Sequence, residues 1–144
     1  MLIESILLVD DESLFHLVFE DACSLLDIAL NLYSISRSED AEKLFQDIKL
    51  GSIKKPECVF VDLNIIGSSF DGIELIKKIN YQYGNGCVIG IISSSTDTME
   101  IDKAKSVGAQ FWIVKSDEIE PRLNDFKKDY KGYKDKTNPF KVYK

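Results

Sequence analysis

Five short apolar runs, separated by amphipathic stretches of helical period, constrain this chain more than any other feature of it. The runs span residues 6–9, 30–35, 58–61, 88–92 and 111–114. The first, third and fourth are almost continuously apolar, as strands covered on both faces must be. The second is weaker and has period-two character. Between the runs, residues 13–27 carry Leu14, Leu17, Val18 and Leu25 at helical spacing. Residues 39–50 repeat the pattern with Ala41, Leu44, Phe45 and Ile48, after Ser38 as an expected N-cap. A third helix follows Gly72, with Ile73, Leu75, Ile76 and Ile79 on one side. A fourth covers 98–107 and is stopped by Gly108. A fifth covers 117–131, where Pro121 is tolerable only in the first turn. Strand and helix alternating five times predict an α/β fold, a parallel sheet with helices on both faces.

In such sheets ligands bind outside the carboxyl ends of the strands, where the strand order reverses. That rule selects residues. The first run ends on Asp10 and Asp11, the third on Asp62, the fourth on Ser93 and the fifth on Lys115. Two adjacent carboxylates repel unless a cation lies between them or one takes a proton. Three carboxylates from two strands make a hard, oxygen-rich site that suits Mg²⁺. Asp62, beside such an ion, is a candidate nucleophile toward a phosphoryl group. Lys115 supplies a point positive charge and Ser93 a hydroxyl donor. Each has a plainer reading when taken singly. Asp11 would be a first-turn acid of the following helix, Lys115 a solvated strand-end lysine, and Ser93 a turn residue of the "SSST" run.

Bulk properties remove several function classes. A chain of 144 residues suits one domain with one sizeable core. The net charge of −6 conceals an asymmetry. Residues 127–144 carry seven lysines and two aspartates, while the remainder holds 11 basic and 22 acidic residues. An acidic body argues against nucleic acid as a partner. No apolar stretch approaches the roughly 20 residues of a bilayer span, and no basic region precedes the first apolar run as in a secretory signal. Cys23, Cys58 and Cys87 are scattered and odd in number, which reads as a reduced, cytoplasmic chain. The single histidine, His16, rules out a convincing Ser-His-Asp triad and a multi-histidine zinc site.

Several segments resemble the receiver domains of two-component response regulators. "ILLVDDE" resembles their first strand and acidic pair, "VFVDLN" the strand bearing the phosphoacceptor aspartate, and "DGIEL" the segment after it. "GIISSS" and "GAQFWIVKS" resemble the strands that end in Ser or Thr and in Lys. The likeness spans about residues 3–130. It implies a flavodoxin-like, five-stranded sheet of order 2-1-3-4-5, with a receiver domain over 1–131 and a basic tail over 132–144. It further implies that Asp62 accepts a phosphoryl group from a sensor histidine kinase or a histidine phosphotransfer protein. Asp10, Asp11, Asp62 and the backbone carbonyl of Asn64 would hold Mg²⁺. Ser93 and Lys115 would bind the phosphoryl group, and Asn64 and Ser95 would influence its hydrolysis. Trp112 would be a switch aromatic that turns inward when the Ser93 hydroxyl is drawn to the phosphate. A downstream protein would dock on the face of helix 4, strand 5 and helix 5. The chain would be a stand-alone signalling switch rather than an enzyme with turnover, with no room for a DNA-binding output domain.

The departures are specific. "LNIIGSSFDG" lacks the family's proline and is about two residues longer by ungapped comparison. The usual Lys-Pro is Lys115–Ser116 here. A cis bond before a non-proline residue costs ~2.5–4 kcal/mol, so either a trans bond with a shifted loop or a strained cis bond is expected. Two rivals stand beside the receiver. One is a receiver-like scaffold that binds partners without phosphorylation. The other is a haloacid-dehalogenase-like phosphohydrolase. That family wants a second aspartate where Asn64 stands and places its acidic pair after the lysine.

Overall fold

The computed structural model describes residues 3–83, 86–116 and 118–144. Strands and helices alternate: β1 (Ile3–Val9), α1 (Ser13–Leu25), β2 (Ala29–Ile35), α2 (Ser38–Lys49), β3 (Cys58–Val61), α3 (Gly72–Tyr81), β4 (Val88–Ser93), α4 (Thr98–Ser106), β5 (Phe111–Val114), α5 (Ile119–Lys134) and β6 (Lys141–Tyr143). All strand pairs are parallel, and the order is β2-β1-β3-β4-β5-β6. The doubly wound α/β architecture is the expected one, with one correction: among the described residues the sheet has six strands, not five. The expected start of the last helix at residue 117 lies outside the described residues.

The continuous apolar runs are explained by the two layers they feed. Ile6, Leu8, Phe60, Phe111 and Ile113 point to one face, where Phe15, Phe19 and Ala22 of α1 and Leu123, Phe126, Tyr130 and Tyr133 of α5 pack on them. Leu7, Val9, Val59, Val61, Ile89, Ile91 and Trp112 point to the other, against Ala41 and Phe45 of α2, Leu75, Ile76 and Ile79 of α3 and Ala104 of α4. Alternate residues of one strand therefore serve different layers. β2 is an edge strand, so Leu30 and Tyr33 are exposed and its pattern is broken.

Pro121 falls in the first turn of α5, as its missing N–H requires. That helix continues past Gly132 to Lys134. The chain then reverses, with Lys136 at φ 59°, and residues 141–143 pair with β5. A strand of three residues, the first of them a lysine, is too short to show a period in sequence. Ser38 is not the N-cap of α2. Arg37 holds that position without a side-chain cap, and the buried Ser38 hydroxyl donates to the Phe70 carbonyl instead (3.0 Å). Lys115–Ser116 is a trans bond, since no peptide bond among the described residues is cis.

Candidate functional site

The strand order reverses between β1 and β3, and their carboxyl ends flank a crevice. Val9 and Val61 are register partners, and the Asp62 N–H donates to the Val9 carbonyl (2.8 Å). This puts the residues that follow, Asp10 and Asp62, side by side. The Asp10 N–H donates to Ile35 (2.9 Å) and the Lys115 N–H to Ser93 (2.8 Å). The sheet ladder thus extends one bond into each functional residue, which fixes its backbone without help from a loop.

Asp10, Asp11 and Asp62 each offer a carboxylate oxygen within 4.8 Å of the others. Asp10 is fully buried and Asp62 is 8% exposed. Asp10 Oδ1 accepts from the Glu12 N–H (2.9 Å). Asp10 Oδ2 has no hydrogen-bond partner among the described residues but lies 2.6 Å from Lys115 Nζ as an ion pair. The same ammonium is 3.4 Å from Asp62 Oδ2. The Lys115 ammonium therefore pairs with two of the three acids of the cluster. The imbalance appears in Asp62, whose carboxyl is pushed up from 3.8 to about 6. Burial is the main cause and repulsion from Asp10 the next. Lys115 opposes both, and Asp11 adds a little more repulsion. A buried carboxylate oxygen whose counter-charge is shared with a second acid, hard oxygen donors from two strands and excess negative charge fit a small divalent ion such as Mg²⁺.

Ser93 ends β4 and is 3% exposed. Its Oγ accepts from the Ser95 N–H (3.2 Å). Asn64 lies two residues past Asp62, exposed at the start of the β3–α3 loop. Trp112 is not at the acidic cluster. It is wholly buried in the core layer beneath α2, α3 and α4, and its Nε1–H donates to the Ser95 carbonyl (3.1 Å).

Six supporting residues were not assigned these roles from sequence. Phe15 sits under Lys115, whose Nζ is 4.4 Å from the ring centroid, a cation–π contact that orients the ammonium. His16 Nε2 contacts the Asp10 carbonyl. A carbonyl only accepts, so Nε2 carries the proton. Gly72 opens α3 hard against β3. A Cβ there would lie 2.1 Å from the Asp62 carbonyl oxygen, so only glycine allows this approach. Ser38 pins the long β3–α3 loop twice: its hydroxyl donates to the Phe70 carbonyl, and its backbone N–H donates to Ser68 Oγ (2.9 Å). Glu39 takes the Ser69 N–H (2.9 Å), and Arg37 donates to the Gly67 carbonyl (3.3 Å). The Gly72 pair with Asp was visible in sequence as "DG". The Phe15, Ser38, Glu39 and Arg37 contacts join elements distant along the chain and leave no local signature.

The family model described as the response regulator receiver domain matches residues 6–123. The chain belongs to that family. Solved structures share the fold at low identity. The phosphorylated cyanobacterial phytochrome response regulator RcpA superposes with a TM-score of 0.72 at 16% identity, covering 94% of this chain and 96% of its own. A two-component response regulator from Cytophaga hutchinsonii gives 0.75 at 20% identity, covering 92% and 98%. The Mn²⁺-bound form of the response regulator Rcp1 gives 0.67 at 15% identity, covering 90% and 92%. Curated proteins offer no match to this sequence. Among the described residues, no helix is long and apolar enough to cross a membrane.

Proposed function

We propose that this chain is a phosphoacceptor switch in a two-component phosphorelay, with Asp62 as the acceptor. The observation that carries the reading is the placement of Asp62, buried at a strand end, beside Asp10 and Asp11, and 3.4 Å from the Lys115 ammonium. An Asp62 carboxylate oxygen attacks the phosphorus of a phosphohistidine on a sensor histidine kinase or a histidine phosphotransfer protein. The new O–P bond forms as the P–N bond breaks, and the nitrogen keeps the electron pair and takes a proton. Hydrolysis by water later returns phosphate and the free carboxylate.

Asp10, Asp11, Asp62 and the Asn64 backbone carbonyl are the groups that would hold Mg²⁺. When bound, such an ion supplies positive charge to the carboxylates and to the transferring phosphoryl oxygens. Lys115 pairs with Asp10 and Asp62 in the free site and with a phosphoryl oxygen in the loaded one. Phe15 keeps its ammonium over the crevice. The Ser93 hydroxyl donates to a phosphoryl oxygen, and Asn64 and Ser95 flank the path of hydrolytic water. Trp112 serves as the switch aromatic. Output passes to a downstream protein on the face of α4, β5 and α5. The activity is signalling, with slow self-dephosphorylation rather than turnover of a substrate.

The test is incubation with acetyl phosphate and Mg²⁺, followed by intact-mass measurement. One phosphoryl group per chain, lost on chelation of the metal, supports the reading. An unmodified chain under conditions where Mg²⁺ demonstrably binds would point to a receiver-like scaffold instead. Continuous release of phosphate from simple esters would point to a phosphohydrolase.

A further inference from the structure

The short strand β6 covers the chain's single tryptophan. In register, Trp112 lies between Ile91 of β4 and Val142 of β6. Val142 and Phe140 pack on the same core layer as the indole. Without β6, β5 would be the edge of the sheet and Trp112 would border solvent. With it, Trp112 is fully buried.

β6 is fastened at its far side. The Tyr143 hydroxyl donates to Asp129 Oδ2 (2.7 Å), so the Tyr133 hydroxyl, 2.7 Å away, donates to Tyr143. The Asn138 side-chain amide donates to the Asp129 carbonyl (2.8 Å), and the Thr137 N–H to the Gly132 carbonyl (2.8 Å). Asn138 sits so close that a Cβ on residue 132 would lie 2.0 Å from its Oδ1. At its near side, Trp112 donates to the Ser95 carbonyl, and the Ser95 N–H donates to Ser93 Oγ. A continuous set of contacts therefore runs from the phosphoryl-binding hydroxyl to the C-terminal strand.

We propose that β6 is a strap that holds Trp112 in its buried position, and that strap docking is coupled to the loading of Asp62 through Ser93, Ser95 and Trp112. The inference rests on the reading of Asp62 as a phosphoacceptor. In the loaded site the Ser93 hydroxyl hydrogen goes to a phosphoryl oxygen, while Oγ still accepts from the Ser95 N–H. A hydroxyl that donates becomes a stronger acceptor, so Oγ holds the Ser95 N–H more firmly, and with it the residue whose own carbonyl anchors the indole. A better-anchored indole gives Val142 and Phe140 a firmer surface, so β6 docks more tightly. A three-residue edge strand is the kind of element that opens locally without global unfolding, which provides the two states the coupling needs. Coupling is reciprocal, so releasing β6 removes stabilisation from the loaded form and lowers its steady-state fraction. A partner approaching the α4–β5–α5 face meets β6 along the edge of β5.

The experiment measures three quantities on one sample with acetyl phosphate in excess and Mg²⁺: intact mass, amide exchange at residues 141–143, and Trp112 emission with acrylamide quenching. The expected result is an adduct accompanied by exchange slowed about fivefold or more at those amides. Val142→Asp should red-shift Trp112 emission, admit acrylamide and lower the loaded fraction by a similar factor. Tyr143→Phe keeps the ring and removes one anchor, so it should show the same changes to a smaller degree, and it carries the test if Val142→Asp does not fold. A full adduct with unchanged exchange at 141–143 overturns the coupling while leaving the phosphoacceptor reading intact. So does Val142→Asp with an exposed Trp112 and an unaltered loaded fraction. Unchanged emission in a folded Val142→Asp overturns the strap itself. No adduct at all removes the phosphoacceptor reading, and the inference falls with it.

Discussion

Lys115 Nζ lies 2.6 Å from Asp10 Oδ2, the one oxygen of that buried carboxylate without a hydrogen-bond partner among the described residues. The ammonium also reaches Asp62, so it is the neutralising charge for two acids at once. Removing one partner of a buried ion pair leaves the other charge uncompensated. Lys115→Met should therefore destabilise the metal-free protein by about 3 kcal/mol at neutral pH. Urea unfolding in chelator should show this loss, and millimolar Mg²⁺ should restore much of it. A variant as stable as the parent in chelator would mean that Lys115 is not the cation balancing this cluster.

The acidity of Asp62 sets a pH dependence of unusual sign for a carboxylate. Its folded value of about 6 stands above the unfolded 3.8, so between those values the folded state binds the extra proton. Stability contributed by the protonated form is complete below about pH 4 and falls as pH rises through about 6. A shift of this size corresponds to at most about 3 kcal/mol. Unfolding free energies measured in chelator from pH 4 to 8 should carry this decline. Asp62→Asn should flatten that part of the profile, and Mg²⁺ should oppose the decline above pH 6.

Gly72 brings the first turn of α3 against the carbonyl of Asp62. Because an added methyl group would lie 2.1 Å from that oxygen, Gly72→Ala must push β3 and α3 apart. Overpacking of this kind costs about 1–3 kcal/mol. The displacement falls on Asp62 itself, so Mg²⁺ affinity should drop together with thermal stability. A loss of stability with unchanged metal affinity would place the strain on α3 alone.

Ser38 ties the β3–α3 loop to α2 through its buried hydroxyl. Ser38→Ala leaves the Phe70 carbonyl without that donor and should cost about 1 kcal/mol. Amide exchange at residues 66–70 should accelerate more than exchange in the core strands. Uniform acceleration across the protein would show that the bond contributes to global stability and not to holding the loop.

The strand ends were legible in the sequence because four of the five apolar runs stop on a polar group, and parallel-sheet geometry gathers those stops at one edge. Asp10, Asp11 and Asp62 could be grouped in advance for that reason. Phe15 could not, because its contact with Lys115 joins α1 to the end of β5 and leaves no spacing to read. Ser38 misleads in sequence: a serine before a helical pattern reads as a cap, yet here its hydroxyl serves a loop 32 residues away. β6 was hidden for two reasons. Gly132 reads as a helix end, whereas its bare backbone makes room for Asn138, and the strand beyond it is only three residues long.

The measurement closest to the central claim is chemical trapping of the acyl phosphate. After treatment with acetyl phosphate and Mg²⁺, borohydride reduction converts a phosphorylated aspartate to homoserine, which peptide mass spectrometry locates. The account predicts homoserine at position 62, absent from untreated protein and from protein treated in chelator, with no trapped residue in Asp62→Asn. Trapping at another carboxylate, or trapping that persists in Asp62→Asn, would contradict it.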